Sequence, residues 1–174
     1  MTARKALLLA ALLAAAGRGR ASAELVLQSI HWQVGRVEKG RVASWHDVRI
    51  IEDGPPKLDT RLRARLLLKN GGADPVEGIL LRYSMTSRLS RIDGFAVEGT
   101  WTIPFMIDER RVPKVGPGKT VEVPLETGPA LELYMRRLLR SGWWPDRIRL
   151  QVMLEPHQGG SSIQTVEDVL EVRR

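Results

Sequence analysis

The chain contains no cysteine. That excludes disulfides, a thiol nucleophile, a cysteine-ligated zinc and a lipidated cysteine behind a leader. Histidine is scarce. His31, His46 and His157 are not spaced as a local metal pair, and each reads as a hydrogen-bonded or exposed side chain. The short motifs of hydrolases, zinc proteases, P-loop enzymes and dinucleotide-binding proteins are missing, so no catalytic residue is assigned and the expectation is a protein that is not an enzyme. No cofactor is implied. The carboxylates Glu52-Asp53 and Asp108-Glu109 lack the alternating oxygens of a calcium loop. The first reads as a turn and the second as a solvated corner of internal ion pairs.

Long apolar runs are missing as well. The Ala/Leu run Ala6–Ala16 has 11 residues, short of the roughly 18 that span a bilayer. It follows Arg4 and Lys5 and precedes Ala21-Ser22-Ala23. That order predicts a secretory signal over 1–23, cleaved after Ala23, and hence a periplasmic or secreted protein with no stable membrane anchor. Arg18 and Arg20 are unusual in such a segment, and no Arg-Arg pair marks a twin-arginine route. The segment holds four basic residues and no acidic one, leaving 23 basic against 20 acidic residues, a net +3 over 24–174. So small a charge argues against nucleic acid as a partner. The 151 residues from Glu24 onward make one domain, large enough to be stable by burial alone.

What is present is a period of two. Leu62, Ala64, Leu66 and Leu68 alternate with Arg61, Arg63, Arg65 and Lys69, Leu67 being the exception, the pattern of a strand with one dry and one wet face. Ile148, Leu150, Val152 and Leu154 repeat it, as do Val121, Val123 and Leu125. Weaker versions are Ile30-Trp32-Val34, Val48-Ile50, Leu81-Tyr83-Met85, Trp101-Ile103-Phe105 and Ser162 to Val172. Turn residues separate them: Asn70-Gly71-Gly72, Gly54-Pro55-Pro56, Asp93-Gly94, Gly116-Pro117-Gly118 and Gly159-Gly160. Gly35 to Asp59 is the least regular stretch, read as long loops or a strand broken by a bulge. One segment has the helical period instead. Leu131, Tyr134, Met135, Leu138 and Leu139 predict an amphipathic helix over 129–141. Pro129 suits its start and Gly142 the residue past its end. Glu132 and Arg136 are spaced as an i,i+4 pair, and Trp143 is placed to fold back on Leu138. The fold class expected is all-β: an immunoglobulin-like antiparallel β-sandwich of about seven strands with one inserted helix.

Two pieces carry a resemblance. The run "RLRARLLLKNGGADPVEGILLRYSM" contains Asn70, Gly71, Gly72 and Pro75, and "VPKVGPGKTVEVPL" contains Val115, Pro117, Gly118 and Thr120. Together they resemble bacterial immunoglobulin-like domains of the CARDB kind. That resemblance implies adhesion, adaptor or scaffold duty and no catalytic residues. The function expected is therefore an exported, non-catalytic protein-interaction module of the cell envelope, partnered by an envelope or secreted protein. The alternative is a module that binds a carbohydrate or another envelope polymer.

Two surfaces are candidates for such binding. Arg61, Arg63 and Arg65 project about 6.6 Å apart by strand rise and suit carboxylates or phosphates. The simpler reading is a cross-strand ladder, with Glu122 beside Arg61–Arg65 and Glu167 and Glu171 beside Arg147 and Arg149. Of the five tryptophans, Trp32 and Trp101 are read as core, while Trp45 and Trp144 are the candidates for exposed rings that hold a sugar or anchor an interface. Long wet strand edges also admit a second copy of the chain.

Overall fold

A computed structural model describes residues 25–39, 41–52, 60–93, 99–155 and 162–173. The signal segment, Asp53-Gly54-Pro55 and His157 lie outside these residues. Among the described residues, ten strands and one helix follow in order: β1 (Leu25–Glu38), β2 (Arg41–Val48), β3 (Ile50–Ile51), β4 (Thr60–Asn70), β5 (Ile79–Arg91), β6 (Thr100–Trp101), β7 (Met106–Val112), β8 (Thr120–Glu126), α1 (Gly128–Arg140), β9 (Trp143–Leu154) and β10 (Gln164–Val172). No helix among them is long and apolar enough to cross a membrane.

The strands form two sheets, β2-β1-β4-β8 and β3-β10-β9-β5, with β6 and β7 both pairing β5. All pairings are antiparallel except β3 with β10. If β1, β4 and β8 are taken as strands A, B and E, and β5, β9 and β10 as C, F and G, the order is that of an immunoglobulin sandwich. The all-β sandwich is thus as expected. The strand number is higher because β2, β3, β6 and β7 are added at the sheet edges. The irregular stretch after Gly35 is mostly paired: β1 runs through it to Glu38, β2 returns beside it with a register shift at Arg36/Val37, and β3 crosses to the second sheet.

The core lies between the sheets. Leu62, Ala64, Leu66 and Leu68 of β4 and Ile148, Leu150, Val152 and Leu154 of β9 are buried, in the phase their alternation dictates. In β1 the phase changes. Leu27 pairs with Leu68 and Ile30 with Leu66, so Gln28 is an extra residue. This bulge moves the inward set from Leu25 and Leu27 to Ile30, Trp32 and Val34. A second irregularity follows in β9, where Arg88 pairs with Arg147 and Leu89 with Pro145. Asp146 is left over there, and its carboxylate accepts from the Arg88 guanidinium (2.5 Å) and the Ser90 hydroxyl (3.0 Å).

Helix α1 joins the sheets, from the edge strand β8 to the central strand β9. Leu131 and Met135 are buried, Tyr134 stacks on Phe105 at 4.4 Å, and the Tyr134 and Ser87 hydroxyls lie 2.8 Å apart. Gly142 has the positive φ expected past the helix end. The Glu132–Arg136 pair is not made. Glu132 turns toward the sandwich and pairs with Arg61 of β4, since its position on the helix borders the buried face. Trp143 is not the staple on Leu138: it is 39% exposed, with the Arg91 guanidinium 6.0 Å from its ring. Trp144 packs against the core instead. Asp108–Arg111 belong to the exposed edge strand β7 and not to a corner.

Candidate functional site

The sequence candidates divide between two places. Trp45 and Arg61, Arg63 and Arg65 share the outer face of the first sheet. β1 presents Gln33 and Gly35 there, β4 the arginines, β2 Trp45 and Asp47, and β8 Glu122. Trp45 lies opposite Gly35, and a Cβ added to that glycine would stand 2.9 Å from the indole. The missing side chain is what lets the ring lie over β1. The Arg63 guanidinium covers the ring at 3.8 Å and donates to the Gln33 amide at 2.8 Å. Gln33 donates to Asp47 at 2.6 Å, and Arg65 reaches Asp47 at 3.4 Å and Glu122 at 3.1 Å. The Gln33 amide is the main cause that holds Asp47 below its ordinary pKa, helped by Arg65 and His31. Burial pulls Arg63 down. Arg63 and Arg65 are therefore tied to neighbouring strands, with Glu122 beside Arg65 as the ladder reading anticipates, while Arg61 is held by Glu132 of the helix.

Trp144 lies on β9 of the other sheet. It is half-buried, not exposed: it packs on the core and donates its indole N–H to the Val172 carbonyl at 3.5 Å. Trp101, expected in the core, is half-buried on the outer face of the second sheet, 4.5 Å from the Arg149 guanidinium. Two-residue β6 pairs Trp101 with Arg88, whose side is the outward one. Trp45 and Trp144 do not share a face.

A site that the alternation does not reveal lies at the lateral seam of the sandwich. β2 pairs with β1 only from Trp32 onward. Below that point β1 has no strand on this side among the described residues. Gln164 of β10 substitutes for one: its side chain donates to the Leu25 carbonyl at 2.5 Å and accepts from the Leu27 N–H at 3.3 Å. Gln28 to His31 remain as an open edge. Beside them is a cleft of about 560 Å³. Ile30, Trp32, Val48 and Val169 give it apolar walls, and His31, Asp47, Arg49 and Asp168 supply charge and polarity. Trp32 is 3% exposed, and its buried indole nitrogen has no hydrogen-bond partner. Arg49 and Asp168 form no ion pair with a described residue. Among the described residues β10 is equally open, since β3 covers only Glu171 and Val172.

The opposite seam is guarded. β7 carries Asp108, Glu109, Arg110 and Arg111 in succession, and β8 carries Pro124, which has no N–H to offer another strand. Two clefts of about 420 and 410 Å³ lie along it. In the first, the Tyr83 hydroxyl donates to Asp108 at 3.1 Å, and burial with this carboxylate pushes the Tyr83 pKa up.

His31 reaches the cleft with its Nε2 3.0 Å from Ser29 Oγ, and His46 makes the same contact with Ser44. Among the described residues no group of three or more His, Asp or Glu could hold a metal ion. The cleft can offer a ligand strand-edge hydrogen bonds, apolar walls and one unpaired charge of each sign, Arg49 and Asp168.

No family model matches the chain, and no curated protein does. Among solved structures, it is similar to a protein from Archaeoglobus fulgidus at 15% identity and TM-score 0.38, with 84% of this chain and 97% of that one covered. It is also similar to a β-D-glucoside glucohydrolase from Trichoderma reesei at 9% identity and TM-score 0.37. That match covers 86% of this chain and spans only 19% of the glucohydrolase. Likenesses this distant carry no functional argument.

Proposed function

We propose that the protein is an exported, non-catalytic interaction module of the cell envelope that takes an extended segment of a partner protein into the seam cleft. The observation that carries this reading is the open edge at Gln28 to His31, beside the apolar-walled seam cleft. A partner strand placed below β2 would pair with that edge. One apolar side chain would fill the space between Ile30, Val48 and Val169. Gln28, Ser29, Ile30 and His31 include neither a proline nor a fixed charge, unlike the guarded β7 and β8 edges. The CARDB-like motifs accord with such adaptor duty, and the signal segment with a periplasmic or secreted location.

The test is selection of displayed heptapeptides on the chain from Glu24 onward, which contains every described element of both sheets. Peptides with one apolar anchor should bind, shift the amide resonances of Gln28 to Trp32, and lose binding on Val169→Arg. Peptides that bind Val169→Arg equally, or whose shifts lie on another face, would overturn this reading. Retention on cell-wall polymer that is lost on Trp45→Ala would favour the polymer-binding alternative.

A further inference from the structure

The wet face of helix α1 is not used by any of the contacts above. At 3.6 residues per turn, Leu133, Arg136, Arg137 and Arg140 fall within an arc of about 100°, opposite the buried Leu131 and Met135. The three arginines are exposed and pair with no carboxylate among the described residues. The helix has a single carboxylate, Glu132, and it is neutralised elsewhere. It is 8% exposed and held by Arg61.

The last carbonyls of the helix are also taken. The Ser141 N–H lies 3.2 and 3.0 Å from the Arg137 and Leu138 carbonyls, the Ser141 hydroxyl donates to Leu138 at 2.8 Å, and the Gly142 N–H reaches Leu139. The guanidiniums of Arg137 and Arg140 are therefore not needed as caps. Leu133, 52% exposed, stands amid these charges, and Leu139 and Trp143 are exposed at the same end of the helix.

We infer that this face docks the protein reversibly on an anionic lipid surface, with Arg136, Arg137 and Arg140 on headgroup phosphates and Leu133 and Trp143 at the headgroup–acyl boundary. Charge complementarity selects an anionic partner. The apolar side chains select a lipid surface over a hydrated polyanion, which offers Leu133 and Trp143 nothing. Three cations beside a few apolar side chains give peripheral binding, well short of an insertion.

The experiment is co-sedimentation of the chain from Glu24 onward with phosphatidylglycerol-containing vesicles and with pure phosphatidylcholine vesicles. Binding is expected to the first only and to weaken with salt. The Arg136→Ser/Arg137→Ser/Arg140→Ser variant should lose about a hundredfold in partitioning, at about fivefold per arginine. Leu133→Ser should bind more weakly at unchanged salt dependence. These positions are exposed, and far-UV circular dichroism confirms that the variants keep their fold. Equal partitioning of the triple variant overturns the inference. So does capture by soluble polyphosphate without vesicle binding, or a Leu133→Ser variant that binds as tightly as the parent.

Discussion

The side-chain amide of Asn70 donates to the carbonyl of Val115 at 3.0 Å, across 45 positions of sequence. The same amide donates to the Asp74 carbonyl at 2.8 Å, and its oxygen accepts from the Gly72 N–H at 2.9 Å. The Asn70 backbone N–H donates to Lys119. Val76 and Val115 then exchange backbone hydrogen bonds at 2.9 Å. One fully buried asparagine thus pins the turn after β4 to the turn before β8. Asn70→Ala should cost about 2–3 kcal/mol, because it leaves the Asp74 carbonyl and the Gly72 N–H without this partner and removes one of the two donors to the Val115 carbonyl. Asn70→Asp should cost at least as much, because a carboxylate supplies no donor to Asp74 or Val115. Urea unfolding of both variants measures this. A loss below about 1 kcal/mol for either would mean that water replaces the amide.

This contact also shows what was legible in the sequence and what was not. The two turns were readable as Asn-Gly-Gly and Gly-Pro-Gly punctuation, and the strands of β4 and β9 as strict alternation. Their joining is a long-range fact that no local period contains. Interrupted alternation carries placement less far: Ile30-Trp32-Val34 was readable beyond the break in β1, whereas the tryptophans beyond the break in β9 were not. Gln28 shifts the phase of β1 and Asp146 that of β9. Trp143 and Trp144 lie beyond the second of these breaks, so their phase could not be carried over from Ile148. Trp101 sits on a strand too short to have a period. The seam cleft was hidden for a different reason. It arises where β2 stops short of β1, and strand lengths relative to a neighbour are not written in either strand alone.

Gly35 is expected to be intolerant of any side chain while Trp45 is present. A Cβ there would stand 2.5 Å from Val42 Cγ1 and 2.9 Å from Trp45 Cε3. Gly35→Ala should destabilise by about 1–3 kcal/mol through overpacking. In a Trp45→Ala background the same change should cost less, since part of the clash is gone. A double-mutant cycle by thermal denaturation reads the difference. Additive costs would show that the ring does not rest on β1.

Asp47 should titrate below 3.8, the ordinary value, because Gln33 donates to its charged form. A lowered carboxylate pKa contributes stability that is present above 3.8 and lost as pH falls through the folded-state value. NMR titration of the Asp47 carboxyl should show this, with Gln33→Ala moving the midpoint back up. A midpoint that Gln33→Ala leaves in place would assign the shift to Arg65 instead.

The pair formed by Arg61 and Glu132 should respond unequally to its two deletions. The Arg61 side chain is 37% exposed, whereas that of Glu132 is 9% exposed. Arg61→Ala strands a carboxylate in a site that water barely reaches, and should cost about 2–3 kcal/mol at neutral pH. Glu132→Gln frees a guanidinium that can turn to solvent, and should cost about 1 kcal/mol or less. Urea unfolding of both variants at neutral pH reads the difference. Equal deficits would mean that the helix is held to β4 by Leu131 and Met135 alone.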